Sequence, residues 1–232
     1  MFRLLALGLV ALSFILILAD RGIAAGVGRL DHAPETWEEL TLPGKKANET
    51  RFSDAMIEIQ SDRSVSFRYA TLNGQQQDAR SIAWDWRVDQ QGPITEQTRK
   101  GGDDRSLALH LWFRDQDNAS LFGSIGSLFG YPRVGHLITY VWGAKEAAGT
   151  ILPNPHYDKG VVIVLKGPDA EPGQWQREKR SIDQDFLASF GIPLPDSGLH
   201  HIALSADTDD TGSRSRGSFR SIRLGAEGQA TR

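Results

Sequence analysis

The sequence predicts an all-β fold, an antiparallel β-sandwich of jelly-roll type with one or two short helices. About nine or ten short segments show period-2 alternation or a content rich in β-branched and aromatic residues, with turn residues between them. The run 161–165, Val-Val-Ile-Val-Leu, is apolar on both faces, as expected for a strand inside a two-layer sandwich. Helical spacing occurs in only two short segments, so the pattern favours packed sheets over a mixed fold.

The strands follow in order from residue 55. Segments 55–60 and 65–71 are predicted to pair as a hairpin around the charged turn Ser61-Asp62-Arg63. Segment 81–88 alternates an apolar, tryptophan-containing face with a charged face, because side chains of a strand point alternately to opposite sides. Segment 105–114 repeats this alternation, with leucines on one face and Ala108, His110 and Trp112 on the other. Further strands are predicted at 136–142, 160–165, 174–181, 199–206 and 217–224.

Two segments have helical spacing. Ser181 followed by Gln184 is a capping-box pattern, and three apolar residues then share a helical face before Gly191 ends the helix. Segment 118–131 is also apolar at helical spacing, but each of its glycines weakens a helix by about 1 kcal/mol relative to alanine. We expect a loop with a helical turn there, either a flap on the core or a lid that touches a ligand or a membrane.

The amino terminus predicts export. Arg3 is followed by an uncharged apolar run at 4–19 and then by the small pair Ala24-Ala25, the order of a secretory signal peptide. The run is shorter than the roughly 20 residues that span a bilayer, which favours a cleaved peptide at 1–25 over an inner-membrane anchor. The expected location is the periplasm or the medium, with membrane contact only through an uncleaved leader. Residues 26–36 are predicted as a linker, 37–224 as the sandwich and 225–232 as a disordered tail.

Composition excludes several classes of function. The chain has no cysteine, so it contains neither a disulfide nor a thiolate nucleophile or metal ligand. A formal net charge of −3 without a basic cluster argues against nucleic acid as a partner. No zinc-protease motif, nucleophile elbow, phosphate loop or dinucleotide fingerprint is present. The sequence therefore leans away from an enzyme and leaves the question open.

The most distinctive local motif is the acidic loop 207–212, Asp-Thr-Asp-Asp-Thr-Gly, directly after a predicted strand. Alternate oxygen ligands followed by glycine can wrap a hard cation, so Asp207, Asp209 and Thr211 are candidate ligands of a structural calcium ion. The alternative is a hairpin turn in which Asp and Thr side chains bind the backbone. The sequence does not decide between them.

A second group of candidates could bind a sugar-like ligand. Asp103 and Asp104 form an acidic turn before a strand, and their carboxylates could bind hydroxyl groups if that turn meets the 207–212 loop. Trp86 and Trp142 are the tryptophans with the best prospect of partial exposure, which stacking on a pyranose ring requires. Most of the other tryptophans are expected in the core.

Several motifs form an ordered set along the chain, in segments 84–88, 100–104, 140–143, 175–180, 185–191 and 207–212. In this order they resemble the bacterial family of exported proteins called domain of unknown function three-zero-four-seven, over about residues 37–224. The resemblance implies an envelope or periplasmic β-sandwich with no established activity, and it marks Lys100, Asp103, Asp104, Arg180 and 207–211 as motif positions. The glycine-rich segment 118–131 departs from the pattern.

These observations leave three functional hypotheses. The leading one is a non-catalytic module that binds a carbohydrate-type ligand through Trp86, Lys100, Asp103, Asp104, Trp142 and Arg180. The second is a polysaccharide-active hydrolase or lyase that uses carboxylates among Asp103, Asp104, Glu178 and Asp207. The third is an envelope assembly partner that presents a sheet edge to another protein.

Overall fold

Two β-sheets lie face to face in this protein, and the core lies between them. The structure is a computed structural model that describes residues 26–114, 132–196 and 198–226. Its helix α1 spans Ile182–Phe190, and two short 3-10 helices span Pro34–Thr36 and Gly74–Asp78. The strands are β1 Gly26–Arg29, β2 Glu38–Thr41, β3 Glu49–Phe52, β4 Ile57–Asp62, β5 Val65–Thr71, β6 Ser81–Gln90, β7 Arg105–Phe113, β8 Leu137–Trp142, β9 Ile151–Pro153, β10 Gly160–Lys166, β11 Gln176–Ser181, β12 Leu199–Asp207 and β13 Arg214–Gly225.

The sheets have six and seven strands. The six-stranded sheet has the order β11-β6-β13-β4-β3, and β1 also pairs with β13. The seven-stranded sheet has the order β2-β5-β12-β7-β8-β10-β9. All pairs are antiparallel except β8 with β10, which run parallel from Leu137 opposite Gly160. The fold is the all-β sandwich of jelly-roll type that the sequence predicts.

The core is built from the inward faces of both sheets. In β6, the buried positions alternate with half-buried ones along the strand, as the sequence pattern predicts. Trp86 of this strand packs edge to face on Trp142 of β8, with ring centroids 5.5 Å apart. Both indole rings are fully buried, because both lie on the inner face of their sheet.

The predicted hairpin at residues 55–71 is wrong. β4 pairs with β3 and β13, whereas β5 pairs with β2 and β12, so the two strands belong to different sheets. The connecting turn is a corner between the layers, with Arg63 at a φ of 51°. The hydroxyl of Ser61 lies 2.7 Å from that of Thr208 and ties this corner to the end of β12. A short charged turn looks the same in sequence whether the next strand pairs with the last or changes sheets.

The predicted linker at residues 26–36 is also wrong. β1 pairs with β13 through Arg29 opposite Arg223, and Leu30 is buried in the core. The sandwich therefore includes residues from Gly26 onward, and at its other end Gly225 still pairs with Gly26. Small and polar residues suit a strand at the border of a sheet as well as they suit a tether.

The predicted helix is confirmed as α1. The hydroxyl of Ser181 accepts a hydrogen bond from the backbone N–H of Gln184 at 3.4 Å, and Gly191 ends the helix with a φ of 70°. Among the described residues, no helix is both long and apolar enough to cross a membrane. The predicted signal peptide, the whole of segment 118–131 and the tail beyond residue 226 lie outside the described residues.

Candidate ligand-binding cleft

A cleft of about 420 Å³ lies on the face of the seven-stranded sheet that points away from the other sheet. The side-chain alternation of strand β7 explains which residues face the cleft. Leu107, Leu109 and Leu111 point into the main core, so the alternate side chains His110 and Trp112 point to the cleft. The cleft is lined by Leu40, Leu42, Lys45, Val65, Phe67, Lys100, Gly101, Arg105, His110, Trp112, Leu137, Thr139, Asn154, His156, Tyr157, Asp207, Asp209 and Asp210.

Aromatic rings form the floor of the cleft. The ring centroid of Phe67 lies 6.1 Å from that of Trp112 and 5.1 Å from that of His110. Tyr69 of β5 packs on Trp112 of β7 across the intervening strand β12, with centroids 5.6 Å apart. Phe67 is half-buried, so part of its ring faces the cleft. The floor is therefore apolar and held in place by edge-to-face and tilted ring contacts.

His110 is a buried polar group within this floor. Its Nε2 lies 2.9 Å from the hydroxyl of Ser205, and its Nδ1 lies 3.0 Å from the hydroxyl of Thr139. Burial lowers the pKa of His110 well below its usual value, and the charge of Arg105 lowers it further. The imidazole is thus neutral at physiological pH, and two hydroxyl groups satisfy both of its nitrogens.

Arg105 dominates the charged end of the cleft. Its Nη2 donates to Asp103 Oδ2 at 3.0 Å and lies 3.6 Å from Asp207 Oδ2. His156 reaches Asp103 from the loop after β9, with 2.9 Å between Nε2 and Oδ1. Burial alone would raise the pKa of Asp103, but the His156 hydrogen bond and the Arg105 charge outweigh it and lower that pKa.

Three carboxylates meet beside Arg105. One oxygen from each of Asp104, Asp207 and Asp209 lies within 4.8 Å of the others. Burial raises the pKa of Asp207 well above its usual value, with Arg105 opposing and Asp209 and Asp104 adding to the effect. Burial, together with Asp209 and Asp104, also raises the pKa of Asp210. Ionising all of these carboxyl groups at once is therefore unfavourable, because they are partly buried and repel one another.

These three carboxylates have the oxygen chemistry and the separation that a hard cation needs. Their charge is offset in part without one, because the ammonium of Lys45 pairs with Asp209 and lies 3.9 Å from Asp210. The predicted metal set needs one correction. Thr211 does not join Asp207 and Asp209: its backbone N–H and its hydroxyl both donate to Asp104. Asp104 is the third carboxylate of the group. The sequence could not indicate this, because Asp104 is more than 100 residues away from the loop.

Trp86 and Trp142 are not ligand-stacking residues in this structure. Both are fully buried between the sheets. The indole N–H of Trp86 donates to Glu178 at 3.1 Å, which removes that carboxylate from the cleft as well. Trp142 lies at the bottom of a second cavity of about 580 Å³, formed by the loops after β8 and β10. Along β6 the alternation itself places Trp86 on the apolar face, whereas both faces of β8 carry large residues, so alternation cannot tell which of them is the inner one.

Arg180 also lies away from the cleft. It belongs to β11, where its Nε donates to Asp185 Oδ2 at 2.8 Å. The hydroxyl of Tyr140 donates to the same oxygen at 2.6 Å, and burial raises the pKa of that tyrosine well above its usual value. These three residues join β8, β11 and α1 and form a buried structural network.

Three of the predicted binding residues do lie at the cleft, and one of them, Asp104, bonds to the acidic loop. Lys100 lines the cleft, and Asp103 and Asp104 lie directly behind its charged end. The sequence did not single out Lys45, Arg105 or His156 as site residues. Arg105 had a signal, since it follows Asp103-Asp104 at the start of a strand. Lys45 and His156 reach the site from distant loops, and no local sequence pattern indicated that they belong to it.

The family of this chain follows from a sequence comparison. The family model described as "Protein of unknown function (DUF3047)" matches residues 35–223. The chain belongs to this family. The match spans β2 to β12 and β13 as far as Arg223, and it includes every residue of the cleft. No curated protein matches the chain.

Solved structures give remote likenesses to this DUF3047 member. A family 11 carbohydrate-binding module of the cellulosomal cellulase Lic26A-Cel5E of Clostridium thermocellum has 8% identity and a TM-score of 0.42, covering 90% of this chain and all of that one. The xyloglucanase domain of NopAA from Sinorhizobium fredii has 7% identity and a TM-score of 0.44, covering 85% of this chain and all of that one. At such low values these likenesses carry no argument about function.

Proposed function

We propose that this protein is a non-catalytic binding module of the bacterial envelope, and that it holds a hydroxyl-rich, carbohydrate-type ligand in the cleft. The volume of about 420 Å³ falls in the range of small-molecule sites, roughly 300–1,000 Å³. The lining combines an apolar floor with a few charged groups at one end, which is the usual composition of such sites.

One observation carries the proposal. Arg105 and Asp207 both line the cleft, with 3.6 Å between Arg105 Nη2 and Asp207 Oδ2. A guanidinium donor beside a carboxyl group matches two neighbouring hydroxyl groups of a sugar, because each hydroxyl can both donate and accept.

A glycan array tests this proposal. Wild-type protein and Asp207→Asn are applied to envelope and capsular polysaccharides, each with and without a chelator. Asp169→Asn, an exposed carboxylate beside the second cavity, serves as the matched control. We expect wild type and the control to bind one class of glycan and Asp207→Asn to lose at least about tenfold in affinity. Absence of binding by the wild type, or equal binding by Asp207→Asn, would overturn the proposal.

An enzymatic function has one specific observation in its favour. The pKa of Asp207 is raised and that of Asp103 is lowered, and both carboxylates contact Arg105. Carboxylates with pKa values pushed apart are typical of acid–base pairs. Asp103 is buried behind the cleft and does not line it, so of this pair Asp207 alone is within reach of a substrate. If a polysaccharide is degraded by the wild type, Asp207→Ala should abolish turnover, and folded Asp207→Ala protein with full turnover would eliminate this alternative.

The sheet edges give less support to an assembly function. The outer strands β2, β3 and β9 have only three or four residues each. β11 has six residues, and four consecutive ones from Arg177 to Arg180 are charged. Short and charged edge strands are the devices that prevent edge-to-edge pairing.

Export is part of the proposal and rests on residues 1–25 alone. The apolar run and the small residues at 24–25 favour cleavage by a signal peptidase. Because β1 begins at Gly26, cleavage after Ala25 would leave the sandwich intact. Cell fractionation followed by amino-terminal sequencing tests this. A periplasmic or secreted protein that begins at Gly26 is the expected result, and an uncleaved cytoplasmic protein is the contrary one.

A further inference from the structure

The cleft has a charged end and an apolar end. In the sheet register Asp207 lies opposite Arg105 and Val65, and six residues back along β12 His201 lies opposite Trp112. A strand rises about 3.3 Å per residue, so these two rows are about 20 Å apart along the sheet. The charged groups cluster at the first row, and Trp112 with its neighbour Leu137 marks the second.

The apolar end is formed by packed side chains and has few polar atoms that could bind a ligand. Leu40, Trp112 and Leu137 are buried in one cluster, against which Phe67 and Tyr157 pack. The hydroxyl of Tyr157 donates to the backbone oxygens of Val134 and Gly135, at 2.7 and 2.8 Å. His110 is satisfied by two hydroxyl groups, as described above. A sugar ring at this end would find ring faces and leucine side chains and almost no free hydrogen-bonding group.

We infer that the natural ligand is an amphiphile, with a hydroxylated head at Arg105 and Asp207 and a hydrocarbon part over Phe67 and Tyr157. This inference rests on the proposed function, because the head is the carbohydrate-type group argued above. A wholly hydrophilic glycan would fill the charged end and leave the half-buried rings of Phe67 and Tyr157 against water. A hydrocarbon chain of about eight carbons is roughly 10 Å long at about 1.25 Å per bond, which reaches from the head into the apolar part.

Matched glycosides separate the head from the hydrocarbon part. Methyl β-D-glucoside, n-octyl β-D-glucoside and 1-octanol are titrated into the full-length protein below the micelle concentration, with tryptophan fluorescence and calorimetry as readouts. Each buried methylene raises affinity about fourfold. We therefore expect the octyl glucoside to bind at least about 30-fold more tightly than the methyl glucoside, even if only part of the chain is buried.

Two variants localise the effect. Phe67→Ala removes a half-buried ring from the cleft, and Leu187→Ala removes an apolar side chain that is 53% exposed on α1, outside the cleft. Phe67→Ala should shrink the octyl-to-methyl ratio at least fivefold, and Leu187→Ala should leave the ratio unchanged. Unfolding curves of both variants establish that they fold.

The outcomes distinguish this inference from the proposed function. Equal binding of methyl and octyl glucosides overturns the amphiphile and leaves the sugar site standing. A glycan-array hit together with no binding of the octyl glucoside overturns it as well. Equal binding of octyl glucoside and 1-octanol would instead show that the sugar head contributes nothing to affinity, which contradicts the proposed function.

Discussion

Arg105 and Asp207 lie side by side at the charged end of the cleft, with 3.6 Å between Nη2 and Oδ2. Each side chain also has a buried atom without a partner among the described residues. Buried polar groups are normally satisfied, so each such atom needs an explanation. The pair joins β7 to β12, adjacent strands of one sheet, so a rigid element positions both groups.

Asp207 should destabilise the free protein at neutral pH. Its pKa is raised above the ordinary value of 3.8, so the folded state holds the proton more tightly than the unfolded state does. The free energy of unfolding then falls as pH rises above that value, until the folded-state pKa is passed. Asp207→Asn removes this cost, so its stability relative to wild type should be greater at pH 8 than at pH 4.

Thermal unfolding of wild type, Asp207→Asn and Asp169→Asn at both pH values measures this. Asp169→Asn corrects for the general effect of removing one negative charge from the exposed surface. A gain for Asp207→Asn that is equal at the two pH values, or greater at pH 4, would show that the buried carboxyl is not held in its protonated form.

His156 should protect the fold against acid through Asp103. The pKa of Asp103 is lowered, so its carboxylate stabilises the fold above pH 3.8, and this stability is lost as pH falls through the folded-state pKa. His156→Ala removes the hydrogen bond at 2.9 Å and should shift the acid-unfolding midpoint to higher pH. Because His156 is half exposed, a loss of about 1 kcal/mol at pH 7 is expected.

Acid titration followed by tryptophan fluorescence gives that midpoint. His156→Gln keeps a side-chain donor and should fall between wild type and His156→Ala. Identical midpoints for all three proteins would mean that the His156 contact contributes nothing to folding.

Lys45 should compete with a cation for the acidic group. Its ammonium pairs with Asp209, and Lys45→Met would leave Asp104, Asp207 and Asp209 with less opposing charge. We expect millimolar calcium to raise the unfolding temperature of Lys45→Met by several degrees and that of wild type by much less. Lys46→Met, whose lysine pairs with Asp62 instead, is the matched control. Strong stabilisation of the wild type by calcium, reversed by chelator, would show that a cation completes the site even with Lys45 present.

Gly217 should be required where the two sheets approach each other. A Cβ atom at this position would lie 2.5 Å from Leu107 Cδ1 and 2.6 Å from the backbone oxygen of Arg87. The backbone oxygen cannot move without breaking the sheet, so Gly217→Ala should lower the free energy of unfolding by about 1–3 kcal/mol. At Gly92 the corresponding contacts are 3.5 Å or longer, so Gly92→Ala should have little effect in the same denaturant titration. Similar stabilities for the two variants would contradict this account.

Much of the fold could be predicted because strand periodicity and helix caps are local signals. The alternation in β6 and the Ser181 cap are encoded within a few residues of where they act. The change of sheet after Asp62 is different, because it depends on Ser61 meeting Thr208 from a distant turn. The strand at Gly26–Arg29 is set by pairing with β13 at the other end of the chain, and no local pattern announces it.

The candidate site was predictable only in part. Asp103, Asp104 and the loop after β12 stand out in sequence as acidic turns at strand ends, and the fold brings them together. The tryptophan that lines the cleft is Trp112, on the face of β7 opposite to its leucines, whereas Trp86 and Trp142 fill the core. Side-chain alternation shows which residues share a face of a strand. Where both faces carry large residues, as in β7 and β8, only the packing of the two sheets decides which face is inside.

Indole N–H resonances in ¹⁵N nuclear magnetic resonance spectra test the central claim most directly. The chain has six tryptophans, of which Trp112 lines the cleft while Trp84 and Trp86 are buried between the sheets. Single-site variants assign the signals, and the glycan-array ligand or octyl glucoside is then added. The account predicts a saturable shift of the Trp112 signal, absent in Asp207→Asn, with the signals of Trp84 and Trp86 unchanged. Binding that leaves Trp112 in place, or that persists in Asp207→Asn, would contradict it.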